Sequence, residues 1–250
     1  LEEHGVPIDR IAGASIGAAL GAARAQGFES EPLQEVCRRM FRRLLDYTLP
    51  VVSLLRGRRI DAAIESQFGD WDIDDLWVPY RCVSTNLTRS RSEVHRHGPV
   101  STAVRASISI PGVLAPVPVD GDLLIDGGVL ANLPVQVFAD DASIRTVIAV
   151  DVAPEMGPRA RGDYPTTVSG WRVMGGRAVR RPDPYPRLGA ILTRTMLVGA
   201  ARTRSLHLDA GGGVGVGIEA VVAGHGEEFA LVEAGQVDGH LALFQRRGAV

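Results

Sequence analysis

The sequence predicts an α/β fold, with helices packed on a mainly parallel central sheet. Short apolar segments rich in β-branched residues alternate along the chain with segments whose apolar residues recur every three or four positions. The 250 residues are 45% hydrophobic and 22% charged, which is ordinary for a globular protein with a substantial core. We interpret the chain as one domain, with a core over residues 1–153, an irregular segment rich in proline, glycine and arginine over 154–187, and a C-terminal part over 188–250.

The first elements are predicted to be a short strand, a sharp turn and a slim helix. The strand ends near Ala12, and the small residues from 18 to 25 favour a helix because alanine has the highest helix propensity. Gly27 suits the C-terminal end of that helix. A second helix opens at Pro32, and the apolar residues that form one stripe along it are Leu33, Val36, Cys37, Met40, Phe41, Leu44 and Leu45.

Several later segments have the composition or the periodicity of regular structure. Strands are expected over residues 80–85, 93–96, 123–125, 146–152 and 206–208. Helices are expected over residues 99–107, 188–204 and 227–245. The glycine-rich run over 211–217 is interpreted as a flexible loop.

A candidate nucleophile lies between the first predicted strand and the first predicted helix. Residues Gly13-Ala-Ser-Ile-Gly17 match the pattern G-x-S-x-G, which is typical of a serine on a tight strand-to-helix turn. Glycine at 13 and at 17 lets the neighbouring chain pass without a clash at Cβ. The backbone N–H of Ile16 would then donate to a developing oxyanion at the start of the helix. The pentapeptide by itself also fits a glycine-rich helix start without any chemistry.

A serine nucleophile needs a general base, and an aspartate is the stronger candidate. Asp126 lies at the end of an apolar strand in Leu124-Ile-Asp-Gly-Gly128, where partial desolvation raises the basicity of a carboxylate. Gly127 and Gly128 let the chain turn at once, although a plain β-turn is the alternative interpretation of this tripeptide. None of the histidines lies in a sharp motif; they are His4, His95, His97, His207, His225 and His240.

Taken together, these motifs resemble the patatin-like phospholipase family. The resemblance also rests on the sequence segments at residues 1–13, 82–88, 103–112 and 126–135, and it covers residues 1 to about 153. It is closest to the bacterial branch that is akin to neuropathy target esterase. The resemblance implies a three-layer α/β/α fold in which Ser15 is the nucleophile and Asp126 activates it, without any metal or organic cofactor.

The resemblance further implies a phospholipid or a lysophospholipid as the substrate. The net charge of −2 gives no general attraction to nucleic acid, so no nucleic-acid partner is expected. No apolar run is long enough to form a transmembrane segment. We therefore expect a cytoplasmic protein that contacts the membrane peripherally.

One departure from the family concerns the oxyanion site. Members carry a glycine-rich loop, G-G-G-x-[RK]-G, upstream of the nucleophile, whereas only fourteen residues precede Ser15 here. We therefore expect a chain truncated at its N-terminus, without its first strand and with weak or no activity, since losing one oxyanion donor costs about 100- to 1000-fold in rate.

Two alternative functions stay open. One is a catalytically silent module that binds lipid or a partner; the other is a Ser-Asp-His triad that uses His207, His225 or His240.

Overall fold

The computed structural model describes residues 7–41, 45–141, 143–144 and 146–150, several positions between 167 and 198, and the backbone of three later strands. The strands are β1 (Ile11–Ala14), β2 (Tyr80–Asn86), β3 (Arg91–His95), β4 (Val117–Val119), β5 (Asp122–Asp126), β6 (Thr146–Ile148), β7 (Gly215–Gly217), β8 (Val232–Val237) and β9 (His240–Gln245). The α-helices with continuous bounds are α1 (Ile16–Ala25), α2 (Ser30–Phe41), α3 (Arg58–Phe68) and α4 (Val100–Ser107). Short 3-10 turns cover Ile73–Asp75, Gly127–Val129 and Val135–Phe138.

The predicted α/β fold is confirmed, but the described central sheet is mixed rather than mainly parallel. Among the described strands of this sheet, only β1 and β2 pair in parallel, whereas β2 pairs antiparallel with β3 and β5, and β4 pairs antiparallel with β5. The β2–β3 and β4–β5 pairs are hairpins with short connections, and hairpins are antiparallel by construction. The parallel expectation followed from the alternation of strands and helices along the chain, but no helix lies between β2 and β3 or between β4 and β5.

The main core lies between the helices and one face of β2. The face that carries Tyr80 and Cys82 packs against α1, whose alanines at 18, 19, 22 and 23 are almost fully buried. The small side chains let α1 lie close to the sheet, and the Tyr80 hydroxyl donates to the Ala18 carbonyl at 2.7 Å. On the opposite face, Arg81 donates to the carbonyl of Val137 in the 3-10 turn Val135–Phe138. The sheet is therefore covered from both sides near the start of β2.

Several boundaries and elements differ from the prediction. The helix expected over 227–245 is wrong: the described backbone there forms β8 and β9, an antiparallel hairpin. Its two strands flank the dipeptide Asp238-Gly239, a sequence typical of two-residue hairpin turns. The glycine-rich run expected as a loop contributes β7, which pairs in parallel with β6.

The helix α3 and the strand β4 are further elements that were not predicted from the sequence. Gly170, Trp171, Val173 and Gly175 are helical within the segment expected to be irregular. The described positions of the helix predicted over 188–204 are helical as expected. The strand expected over 206–208 lies outside the described residues, and the single-domain organisation stays a prediction.

Candidate active site

Ser15 occupies the turn between β1 and α1 in a strained backbone conformation. Its φ of 55° and ψ of −127° place a non-glycine residue at positive φ, where the side chain crowds its own backbone. Its carbonyl accepts hydrogen bonds from Ala18 and Ala19, which begins the helical ladder. The turn therefore holds the hydroxyl at the N-terminal end of α1, as the G-x-S-x-G pattern predicts.

A buried serine that the sequence analysis did not assign holds this turn in place. The Ser107 hydroxyl accepts a hydrogen bond from the Ser15 backbone N–H at 2.9 Å and donates one to the Val83 carbonyl at 2.7 Å. Ser107 is fully buried at the end of α4. It therefore ties the strained turn to the neighbouring strand β2. Ser107 lies within the segment 103–112, which resembles the family, but no local sequence pattern indicates its role.

Asp126 reaches Ser15 because the ends of two strands meet along one edge of β2. The partner of Ala14 on β2 is Val83, and the partner of Asp126 is the next residue, Ser84. Since β3 occupies the other edge of β2 over these residues, β1 and β5 must lie end to end on the same edge. Their C-terminal ends point towards each other, about one residue step apart. This arrangement brings together two side chains that are 111 residues apart in sequence.

The two side chains form a short hydrogen bond in a desolvated setting. The Ser15 Oγ donates to Asp126 Oδ2 at 2.7 Å, and Asp126 Oδ1 accepts from the Gly128 N–H at 2.7 Å. Asp126 is 1% exposed, and this burial raises the pKa of its carboxyl from 3.8 to about 6, while the hydrogen bonds from Ser15 and Gly128 act in the opposite direction. The carboxylate is therefore more basic than a surface aspartate and still ionised at neutral pH.

The glycines around the site have different steric roles. A Cβ on Gly127 would lie 2.0 Å from the Val83 carbonyl oxygen, because the chain passes directly over β2 after Asp126. A Cβ on Gly13 would lie 2.2 Å from the carbonyl oxygen of Gly17, so Gly13 is required where α1 folds back on β1. By contrast, a Cβ on Gly17 would meet nothing within 4 Å. The expectation that glycines on both sides of the serine avoid clashes is thus correct for Gly13 and wrong for Gly17.

The start of α1 offers hydrogen-bond donors beside the Ser15 hydroxyl. The first N–H groups of a helix have no partner within the helix, and here they belong to Ile16 and Gly17. The Ser15 N–H is already bound to Ser107, which leaves Ile16 as the first candidate donor. The positive end of the helix dipole adds to the attraction for a negative oxygen at this point.

A mainly apolar cavity of about 410 Å³ opens directly onto Ser15. The hydrocarbon side chains that line it come from α1, the segment after the 3-10 turn Gly127–Val129, and the region of β6: Ile16, Leu20, Leu133, Val135, Phe138 and Ile148. None of these residues was singled out for the cavity by the sequence analysis. The volume and the apolar lining suit a hydrocarbon chain that carries one polar group.

The described histidines hydrogen-bond residues other than Ser15 and Asp126. His95 hydrogen-bonds the Ser84 hydroxyl at 2.7 Å, and burial lowers its pKa below 6.5. His97 hydrogen-bonds Asp74 at 2.7 Å. His4, His207 and His225 lie outside the described residues, and the His240 side chain is likewise not described. The direct hydrogen bond between Ser15 and Asp126 occupies the position that an imidazole would take in a triad.

Among the described residues, no three histidine, cysteine, aspartate or glutamate side chains group together in a way that could hold a metal ion. Within the same part of the chain, no helix has both the length and the apolar character needed to cross a membrane.

The sequence of the chain is similar to that of a known protein family. Residues 1–139 match the family model described as patatin-like phospholipase. The chain is 37% identical over 184 residues to lysophospholipase NTE1 of Eremothecium gossypii and 39% identical over 188 residues to lysophospholipase NTE1 of Cryptococcus neoformans var. neoformans; each match covers 71% of the chain. It is 35% identical over 213 residues, or 81% of the chain, to patatin-like phospholipase domain-containing protein 6 of Mus musculus.

These relatives are much longer than the matched region. The matches cover 12% and 11% of the two NTE1 proteins and 16% of the mouse protein. The similarity therefore concerns one region of each relative. The resemblance drawn from the motifs is confirmed, and the matches support a lipid ester hydrolase.

Proposed function

Because the chain belongs to the patatin-like phospholipase family, we propose that it hydrolyses lipid carboxylic esters with Ser15 as the nucleophile and Asp126 as its general base. The observation that carries this proposal is the 2.7 Å hydrogen bond from the Ser15 hydroxyl, on a strained turn, to the buried Asp126 carboxylate. A hydroxyl and a base within this distance are what nucleophilic catalysis requires.

The proposed reaction has two steps. In the first, Asp126 takes the Ser15 proton as Oγ attacks the ester carbonyl carbon, and the oxyanion that forms accepts a hydrogen bond from the Ile16 N–H. The tetrahedral intermediate collapses, Asp126 passes the proton to the leaving alcohol, and the acyl group stays on Ser15. In the second step, water gives a proton to Asp126 and attacks the acyl carbon, and proton return to Ser15 frees the fatty acid.

The substrate is proposed to be a lysophospholipid or a phospholipid. The cavity beside Ser15 has an apolar lining that suits an acyl chain, and two of the relatives are named lysophospholipases. We further propose that the protein contacts the membrane peripherally, since the substrate resides there. The cytoplasmic location and the weak activity expected from the sequence stay predictions.

The test is release of fatty acid from lysophosphatidylcholine, together with labelling by a fluorophosphonate probe. Ser15→Ala is expected to abolish both signals, and Asp126→Asn to slow both by about 100-fold or more. The control is Ser92→Ala, which removes an exposed hydroxyl on β3 and should change neither. Labelling of the unmodified chain should map to Ser15 and should weaken as the pH falls below about 6, where Asp126 becomes protonated.

The same measurements separate the two alternatives. If replacing His207, His225 or His240 by alanine abolishes labelling while Asp126→Asn only reduces it, the base is an imidazole and the dyad is refuted. If the folded, unmodified chain binds lysophosphatidylcholine without turnover and without labelling at Ser15, the silent binding module is the correct description.

A further inference from the structure

The connection between α2 and α3 carries an exposed apolar turn. Four consecutive residues, Leu49, Pro50, Val51 and Val52, form what we term the apolar tip. Leu49 is 79% exposed, Val51 80% and Val52 70%, and Pro50 is exposed as well. Loop tips usually consist of glycine, asparagine, aspartate, serine or proline, so three branched hydrocarbon side chains here are unusual. Such a concentration of exposed apolar surface marks a contact with a partner or a membrane.

Hydrogen bonds hold the apolar tip in a defined position. The loop behind it is a short hairpin. The Thr48 backbone N–H donates to the Leu54 carbonyl at 3.0 Å, and the Arg56 backbone N–H donates to the Asp46 carbonyl at 2.9 Å. The Asp46 carboxylate accepts from the Gly57 N–H at 3.1 Å and so fixes the loop to the start of α3. The apolar side chains are thus presented outward by an ordered scaffold rather than by a chain end.

The loop is attached to the segment that supports the proposed catalytic pair. The Leu54 N–H donates to the Gly112 carbonyl at 2.9 Å, and the Leu55 N–H donates to the Val113 carbonyl at 3.0 Å. Three residues before Gly112, the Ser109 carbonyl accepts the Asp126 N–H at 2.9 Å. The apolar tip is therefore connected to Asp126 through a few backbone hydrogen bonds, and its loop enters α3 beside the C-terminal part of α4, whose last residue, Ser107, binds the Ser15 N–H.

The size and the charge of this surface favour a lipid surface over a protein. A stable protein interface needs about 800 Å² and 20 or more residues on each side, far more than a four-residue tip offers. Exposed arginines lie at the base of the loop, at positions 56, 58 and 59. Guanidinium groups beside inserted hydrocarbon match the phosphates that border the acyl region of a bilayer.

We propose that the apolar tip inserts into the lipid surface that holds the substrate, with the neighbouring arginines on the phosphates. This inference rests on the proposed lipid substrate and assigns the membrane contact to named residues. Insertion at this point would place the end of the sheet, where Ser15 and Asp126 meet, near the membrane surface.

The test is flotation of the purified chain with vesicles of phosphatidylcholine alone and of equal parts phosphatidylcholine and phosphatidylserine. Val51→Asp should reduce binding to both by about tenfold or more, because one exposed branched side chain no longer enters hydrocarbon. The matched control is Trp77→Asp: Trp77 is 78% exposed but packs beside Gly27, at the far end of α1 from Ser15, so binding should not change.

Replacing Arg56 and Arg58 by glutamine together should weaken binding to the phosphatidylserine vesicles more than to those of phosphatidylcholine. Thermal denaturation verifies that each variant is folded, and Val52→Asp replaces Val51→Asp if that variant is not. Equal flotation of the tip variants and the unmodified chain overturns the inference. So does an equal loss in Trp77→Asp, or conversion of a dimer to a monomer by Val51→Asp. Fluorophosphonate labelling of the unmodified chain tests the proposed chemistry separately, so the two proposals can fail independently.

Discussion

Replacing Asp126 by asparagine should stabilise the protein at neutral pH while it removes the proposed base. Burial raises the pKa of the Asp126 carboxyl from 3.8 to about 6, so the folded protein holds this proton more tightly than the unfolded chain does. Asparagine keeps an acceptor for the Gly128 N–H and can donate to the Ser15 hydroxyl, so the change removes mainly the charge. The comparison of the two proteins therefore isolates the cost of ionising this one carboxyl.

The size and the sign of the effect follow from the pKa difference. Below pH 3.8 the carboxyl is protonated in both states, so its burial carries no cost of ionisation. As the pH rises from 3.8 through about 6, the unfolded chain releases this proton more readily than the folded protein does, and the unmodified protein loses stability. A difference of about two pH units corresponds to about 3 kcal/mol of unfolding free energy. The stability of Asp126→Asn relative to the unmodified protein should therefore rise by up to about 3 kcal/mol between about pH 4 and pH 7.5.

The assay is urea denaturation of both proteins across this pH range. Asp122→Asn serves as a control of opposite sign on the same strand. Hydrogen bonding from Asn86, together with Arg89, lowers the pKa of Asp122, so its charge stabilises the folded state above the ordinary aspartate pKa, and this variant should lose relative stability as the pH rises. A stability difference between Asp126→Asn and the unmodified protein that stays constant from acid to neutral pH would refute the argument from burial.

Two further predictions concern the turn that carries the nucleophile. Ser107→Ala removes the hydroxyl that accepts from the Ser15 N–H and donates to the Val83 carbonyl, so it should cost about 1–3 kcal/mol in urea denaturation and slow fluorophosphonate labelling. Ser92→Ala should stay within about 0.5 kcal/mol. Gly13→Ala should destabilise by about 3 kcal/mol or more, because its Cβ meets backbone at 2.2 Å. Gly17→Ala should keep or raise the thermal midpoint, because its Cβ enters open space in the first turn of a helix. Equal tolerance at both glycines would contradict the turn geometry.

The turn at Ser15 and the strand that ends at Asp126 could be predicted because both depend on local sequence. A serine flanked by glycines between a strand and a helix, and an aspartate before two glycines, each specify the backbone within a few residues. Their meeting could not be read from either motif, because it depends on the register of β1 and β5 along one edge of β2. The contact between Ser15 and Asp126 could be predicted only from the resemblance to a family.

The elements that were missed had signals of their own. The β4–β5 hairpin turns at Asp120 and Gly121, both at positive φ, and the strands β8 and β9 flank Asp238-Gly239. Aspartate–glycine between apolar segments is a strong hairpin signal, and it should have outweighed the helical interpretation of residues 227–245. The apolar residues of α3 recur every four positions, which is visible in the sequence. By contrast, nothing local distinguishes Ser107 from any other small residue near a helix end.

The burial of Asp126 explains why the sequence around it is so constrained. A carboxylate this deeply buried is tolerable only because both of its oxygens accept hydrogen bonds, one from Ser15 and one from Gly128. The Gly128 N–H reaches back only because the chain turns immediately over β2, and that turn leaves no room for a Cβ at Gly127. The same two hydrogen bonds limit the rise in pKa, so that the group stays ionised at neutral pH. The aspartate–glycine–glycine sequence is therefore the local condition under which a desolvated base of useful strength can lie beside a serine hydroxyl.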